Sequence, residues 1–136
     1  MTDLIEKPIL LIDIIEQSNP KNQSSYRFEL NPQGIEILKN VNNKKIAVLC
    51  ISGPQRSGKS FLANRILKKM QGFKIGPTTN PCTKGIWIWS KPIPINDDTV
   101  LLILDTEGLN SISRNNTIDS KIFSLSILLS SMFIYN

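Results

Sequence analysis

The 136-residue sequence contains no histidine and only two cysteines, Cys50 and Cys82. The first absence excludes histidine acid–base catalysis and histidine-ligated metal centres. The second excludes a disulfide framework. Cys50 falls inside an apolar, strand-like run, so a reduced thiol in the cytoplasm is expected. Long apolar runs are lacking too. The most apolar stretch, residues 122–135, is interrupted by Ser124, Ser126, Ser130 and Ser131 and is too short to cross a bilayer, so it reads as core. The start, Met1-Thr-Asp-Leu-Ile-Glu-Lys-Pro8, is acidic and broken early, unlike a secretory leader. Positive charge is in excess, +5 net, but its only doublets are Lys44-Lys45 and Lys68-Lys69. These read as a strand entrance and a solvated helix end, so no nucleic-acid partner is expected. No internal repeat is visible. At 40% hydrophobic and 20% charged residues, the chain has the composition of one soluble α/β domain or part of one.

What is present centres on Gly53-Pro-Gln-Arg-Ser-Gly-Lys-Ser60, which fits the phosphate-binding pattern G-x-x-x-x-G-K-[ST] without mismatch. Its surroundings suit that chemistry. Lys45–Ile51 is a β-branched apolar run of strand length, as in a strand covered on both faces. Leu62, Ala63, Ile66, Leu67 and Met70 follow at helical spacing, which starts a helix near Lys59. In a strand–loop–helix of this kind, backbone N–H groups converge on phosphates. Lys59 reaches the β- and γ-phosphates, and the Ser60 hydroxyl coordinates Mg²⁺.

Upstream, Pro8–Ile15 is a β-prone run, residues 17–25 are polar and loop-like, and Ser25–Leu30 alternates as a half-buried strand. The two strands are expected to form an edge hairpin. Asn31-Pro32 supplies an N-cap and a first-turn proline for a short helix with Ile35, Leu38 and Val41 on one face. Residues 1–44 thus read as a hairpin and helix at the sheet edge, and residues 45–136 as the nucleotide-binding part. Downstream, residues 72–84 form an irregular loop ending near Thr83, a position from which a switch threonine closes over γ-phosphate and Mg²⁺. Gly85–Ser90 is a strand with Trp87 and Trp89 on one side for packing, and residues 91–98 are a turn into an antiparallel strand, Thr99–Asp105. That strand ends in Asp105-Thr-Glu-Gly108, a D-x-x-G placed at a strand's carboxyl end, where α/β sheets hold ligands. Asp105 there holds Mg²⁺ through water, and Gly108 turns its N–H to the γ-phosphate. Residues 118–129 read as a buried helix on Ile118, Ile122, Phe123, Leu125, Leu128 and Leu129, and Ser131–Tyr135 as a core strand. The expected fold is α/β, a P-loop NTPase with a mostly parallel sheet flanked by helices.

Together, Gly53–Ser60, Cys82-Thr-Lys-Gly-Ile-Trp-Ile-Trp89 and Leu104-Asp-Thr-Glu-Gly-Leu109 resemble the guanylate-binding proteins, large GTPases of the dynamin superfamily whose G-domain type is shared with atlastins. The resemblance implies GTP as substrate and Mg²⁺ as cofactor. It implies catalytic roles for Arg56 as an internal arginine finger, Lys59, Thr83 on Mg²⁺, and Glu107 in the water network at the γ-phosphate. Nucleotide contacts are implied for Gly53, Pro54, Gln55, Arg56, Ser57, Gly58, Lys59, Ser60 and Phe61, and for Asp105, Thr106, Glu107, Gly108 and Leu109. The implied metal ligands are Ser60, Thr83 and Asp105. Nucleotide-dependent homodimerisation through the G-domain face is implied as well, as is a cytoplasmic location, peripheral on membranes. Pro81 and Asn110-Ser111 depart from the pattern of many animal members at positions that bear on hydrolysis. The family's guanine-recognising motif would follow residue 136, so the chain is expected to be the front of an incomplete G domain. Membrane contact would likewise rest on sequence after that residue. An atlastin-like membrane-remodelling GTPase, disfavoured by Glu107 where those carry Gln, and a truncated non-hydrolysing nucleotide-binding remnant or interaction module remain the alternatives.

Overall fold

The computed structural model describes residues 6–21, 24–41, 44–53, 59–66, 85–107 and 116–135. Over these it forms β1 (Pro8–Ser18), β2 (Ser24–Leu30), α1 (Pro32–Lys39), β3 (Lys45–Ser52), α2 (Lys59–Ile66), β4 (Gly85–Trp89), β5 (Ile93–Pro94), β6 (Thr99–Glu107), α3 (Asn116–Leu129) and β7 (Met132–Tyr135). One seven-stranded sheet runs in the order β2-β1-β4-β6-β3-β7, with β5 paired beside β6.

The fold is α/β, but the sheet is mixed and not mostly parallel. Among the described residues only β3 pairs in parallel, with β6 on one side and β7 on the other. The β1–β2, β1–β4, β4–β6 and β5–β6 pairings are antiparallel. Connection length accounts for this. Residues 90–98 between β4 and β6 are too few for the crossover that a parallel neighbour needs, so the chain must turn back on itself. That segment is also more than a turn, because Ile93 and Pro94 pair with Leu101 and Val100. The polar segment expected as a loop over 17–25 is shorter than that, since β1 continues to Ser18 and β2 starts at Ser24.

Asn31 caps α1 as its sequence requires, its side chain accepting from the Gln33 N–H at 3.0 Å with Pro32 in the first turn. The buried positions, however, are Gly34 and Ile37 with Val41 beyond the helix, while Leu38 is exposed. Gly34 is the contact point. A Cβ there would lie 2.8 Å from Leu11 Cδ1 and 2.9 Å from Leu11 Cα, so the missing side chain lets α1 lie close on β1. The β1–β4 register shifts between Leu10 and Ile12, and both Leu11 and Ile12 are buried.

Two clusters fill the core. Ile37 of α1 and Ile118 and Ile122 of α3 pack with Cys50, Ile86, Ile88, Leu102 and Leu104. Leu62 and Ile66 of α2 pack against the other cluster, Leu49, Ile51, Trp89 and Ile103, together with Trp87. Alternating residues of β3 and β6 feed opposite clusters, so α2 covers one sheet face and α3 the other. Both tryptophans pack in the α2-side cluster. Leu67, Met70 and the whole segment 72–84 lie outside the described residues.

The end of the chain is less buried than its hydrophobicity suggests. The inward row of α3 is Ile118, Ile122 and Ser126, whereas Leu128 is 82% exposed and Leu129 is also exposed. β7 is an edge strand, with Met132 62% exposed. It is held by the β3 ladder, by the Ser131 hydroxyl accepting from the Val48 N–H at 3.0 Å, and by edge-to-face contacts of Phe123 with Phe133 and Tyr135. Its two central residues are half-buried, Phe133 against the α3-side cluster and Ile134 against the α2-side one, while Met132 and Tyr135 are exposed.

Candidate nucleotide-binding site

The site is built where β3 and β6 end side by side. Their parallel register aligns Ile51 with Asp105, so Ser52-Gly53 and Asp105-Thr106-Glu107 emerge together at the carboxyl edge of the sheet. Both strands are covered on two faces, and their apolar residues 100–104 and 49–51 are buried apart from half-buried Leu101. Polar groups then concentrate at their ends. Among the described residues the buried polar or charged side chains are Ser52, Asp105, Thr106 and Ser126, and the first three sit at this edge.

Asp105 is 2% exposed. By strand alternation it shares a face with Ile103, whose cluster is covered by α2. The carboxylate therefore lies on the side of the sheet from which α2 starts at Lys59. A carboxylate buried this deeply at the carboxyl end of a strand, where α/β sheets hold ligands, marks Asp105 as a candidate site residue.

Ser52 and Thr106 occupy the next rung and are fully buried, with the Thr106 hydroxyl donating to Ser52 Oγ at 2.9 Å. They share the opposite face with Cys50 and Leu104, on the α3 side. The Thr106 side chain is thus engaged within the fold. Cys50 lies two residues before Ser52, and burial pushes its thiol up to about 12, with a hydrogen bond to Ser126 opposing the rise and the Asp105 charge adding to it. Ser126 itself donates to the Ile122 carbonyl at 2.7 Å.

Lys59 and Ser60 open α2, the element in which the sequence expects them, and Glu107 ends β6; nothing is described of these three side chains. Phe61 is exposed on the first turn of α2. Gly53 is buried directly after β3. Pro54, Gln55, Arg56, Ser57, Gly58, Thr83, Gly108 and Leu109 lie outside the described residues, as do Pro81, Cys82 and Asn110-Ser111. The described structure therefore brings together the two strand ends that carry the motifs, with Asp105 as the charged side chain whose surroundings are defined.

Two residues at this edge have structural roles that the motif reading did not give them. Ser52 lies between the apolar run Lys45–Ile51 and the motif that starts at Gly53, and nothing local in the sequence points to its partner. Gly85 starts β4 beside the site, paired with Glu107 and with Asp13. A Cβ there would sit 2.0 Å from the Ile12 carbonyl oxygen, so the position admits only glycine without backbone movement. A glycine opening a β-branched run, in place of a residue that favours strand, was its signal.

Comparison with known proteins follows the same residues. The family model described as "Guanylate-binding protein, N-terminal domain" matches residues 25–136. Guanylate-binding protein 1 of Chlorocebus aethiops is 44% identical over 111 residues, covering 81% of this chain and 19% of that protein. Human guanylate-binding protein 2 is 42% identical over 130 residues, covering 95% of this chain and 20% of its own length. Mouse guanylate-binding protein 3 is 40% identical over 133 residues, 97% of this chain and 20% of the relative. The chain thus spans about a fifth of the length of these relatives. With a family match over residues 25–136, which include Gly53–Ser60 and Asp105-Thr-Glu-Gly108, the chain belongs to the guanylate-binding protein family.

Proposed function

We propose that this chain is the phosphate-binding front of a P-loop G domain in a large GTPase that binds and hydrolyses GTP with Mg²⁺. The observation that carries the reading is Asp105, a buried carboxylate at the carboxyl end of β6, on the sheet face from which α2 starts and one strand from the Gly53 loop. A buried acid next to a glycine loop and a helix start is the donor set that a phosphate-bound divalent cation requires. Ser60, Thr83 and Asp105 would hold Mg²⁺, which when bound neutralises charge between the β- and γ-phosphates.

The chain's own residues divide the remaining work. Loop amides and the α2 N-terminus bind phosphate oxygens, and Lys59 places a fixed charge on the β- and γ-phosphates. Gly108 donates its N–H to the γ-phosphate. Glu107 orients the attacking water, and Arg56 acts as an internal finger on the transition-state charge, an effect worth roughly 10³–10⁵ in rate. The finger is brought into position when two G domains meet face to face, which makes turnover depend on homodimerisation. A cytoplasmic location suits a free, buried thiol such as Cys50. Among the described residues no helix is long and apolar enough to cross a membrane. Membrane contact, within this proposal, is peripheral.

The test uses the native full-length gene product. Lys59→Ala should weaken GTP affinity by about a hundredfold, in keeping with loss of a charged phosphate contact in a dry site. Arg56→Ala should leave affinity within a few-fold and cut turnover at least ~10³-fold. Undiminished affinity in Lys59→Ala would remove the phosphate loop from the mechanism. Unchanged turnover in Arg56→Ala would remove the finger.

A further inference from the structure

We infer that the buried Ser52–Thr106 hydroxyl pair is a positioning device that fixes the phosphate loop against the Asp105 strand end, so that the residues of both motifs meet one divalent cation in register. The inference rests on the nucleotide site proposed above and adds two residues that do not themselves touch nucleotide through their side chains. Both hydroxyls are fully buried and 2.9 Å apart. They lie on the α3 face, opposite the face that carries Asp105, so they act through the backbone and not on a ligand.

Their place in the chain is what makes them more than packing. Ser52 immediately precedes Gly53, and Thr106 immediately follows Asp105. The β3–β6 ladder runs from Lys45–Thr99 to Ile51–Asp105, and the hydroxyl pair adds a side-chain link one residue further on. Beyond it the sequence of each strand continues into its motif. Two apolar side chains at this rung would bury with no desolvation cost, whereas two hydroxyls must satisfy each other. Such a pair gains little stability over an apolar contact but tolerates much less variation in separation and angle. The other buried hydroxyl among the described buried polar residues, Ser126, donates to the Ile122 carbonyl of its own helix and meets the Cys50 thiol, so it ties α3 to β3 but does not join β3 to β6. The link at Ser52–Thr106 therefore extends the β3–β6 pairing to the residues that adjoin both motifs. Ser60 follows one loop and Asp105 starts the other, and both must address the same cation.

The test compares variants of the full-length protein in two assays. The first is the Mg²⁺ concentration that half-saturates binding of a fluorescent GTP analogue. The second is hydrogen exchange at the Gly53 and Glu107 amides without nucleotide. Ser52→Ala should raise the Mg²⁺ requirement about threefold to tenfold, the range that one neutral hydrogen bond spans, and speed exchange at both amides. Thr106→Ser, which keeps the hydroxyl, should stay within about twofold of wild type. Ser52→Ala also orphans a buried hydroxyl, so Ser52→Ala/Thr106→Val, which removes both, should recover melting temperature while keeping the Mg²⁺ defect. A melting temperature that falls in Ser52→Ala with no change in Mg²⁺ requirement, or a double variant that restores both, overturns the inference. If wild type binds no nucleotide, the functional reading fails and the coupling with it. If wild type binds and Ser52→Ala matches it at every Mg²⁺ concentration, only the coupling fails.

Discussion

The two ends of the β3–β6 pair are built from opposite materials. At the amino end Lys45 and Asp98 form an ion pair at 3.1 Å whose side chains remain 79% and 61% exposed, and the Lys44 ammonium donates to the Asp97 carbonyl. At the carboxyl end Asp105, Ser52 and Thr106 are sealed from solvent. Charges at the wet end are solvated in either folding state, so their pairing changes little and their identity is free to vary. Polar groups at the dry end lose hydration and must be held within the fold, as Ser52 and Thr106 hold each other. The same two strands thus separate a solvated rim from a buried polar one, and the buried end is the one that adjoins Gly53–Ser60 and carries Asp105-Thr-Glu-Gly108.

Substitutions that sharpen this contrast begin with Gly85. Gly85→Ala puts a methyl group 2.0 Å from the Ile12 carbonyl, at the rung where β4 pairs with Glu107 beside the dry end. It should cost about 3 kcal/mol in urea unfolding and shift the β1–β4 register, since the obstacle is backbone and cannot rotate away. A loss under about 0.5 kcal/mol would show that this edge is softer than described.

The Cys50 thiol gives a smaller, pH-dependent signal. Its value is raised from 9.0 to about 12 by burial, so the neutral thiol is the form compatible with the fold. For a raised pKa, the stabilising contribution is complete below the unfolded value and lost as pH rises toward the folded one. Stability should therefore be flat in this group up to about pH 9 and decline between 9 and 12, by up to roughly 1.4 kcal/mol per unit, a dependence that Cys50→Ala should remove. A decline of equal size in Cys50→Ala would assign it to other groups. The smallest effect belongs to the wet end. Hydrogen bonds from Thr99 and then Lys45 lower the Asp98 carboxyl below 3.8, so its contribution is present above that value and fades as pH falls through its folded value. Because this ion pair is largely exposed, Asp98→Asn should leave the melting temperature at neutral pH unresolved from wild type; a clear drop would erase the contrast between the two ends.

How much of this was legible in the sequence follows the same physical divide. β3, the start of α2, the Asn31-Pro32 cap and the antiparallel return from β4 to β6 were readable, because strand runs, caps and short turns are local. Helix faces were readable only in part, since Leu62 and Ile66 of α2 and Ile118 and Ile122 of α3 pack inward as their spacing predicts. The periodicity of Ile35, Leu38 and Val41 pointed to an apolar stripe, but α1 packs through Gly34 and Ile37, where absence of a side chain permits the approach. Leu128 and Leu129 extended an apolar pattern on α3 that turns to solvent, with Ser126 taking the inward place. The mixed sheet was partly foreseen from the turn at 91–98, yet the phosphate-loop pattern suggested a mostly parallel one. At the site, Asp105 was readable as a D-x-x-G acid after an apolar strand. Ser52 was not, because its partner Thr106 is 54 residues away and only the sheet register brings them together.

The measurement that bears most directly on the functional edge is hydrogen exchange of the native full-length protein, with and without Mg²⁺–GTP. New protection is predicted over residues 53–61 and 105–109, with none over residues 44–46 and 96–99 at the opposite end of the same strands. Protection confined to the amino end, or absent from both under conditions where GTP is bound, would contradict a phosphate site at the carboxyl ends of β3 and β6.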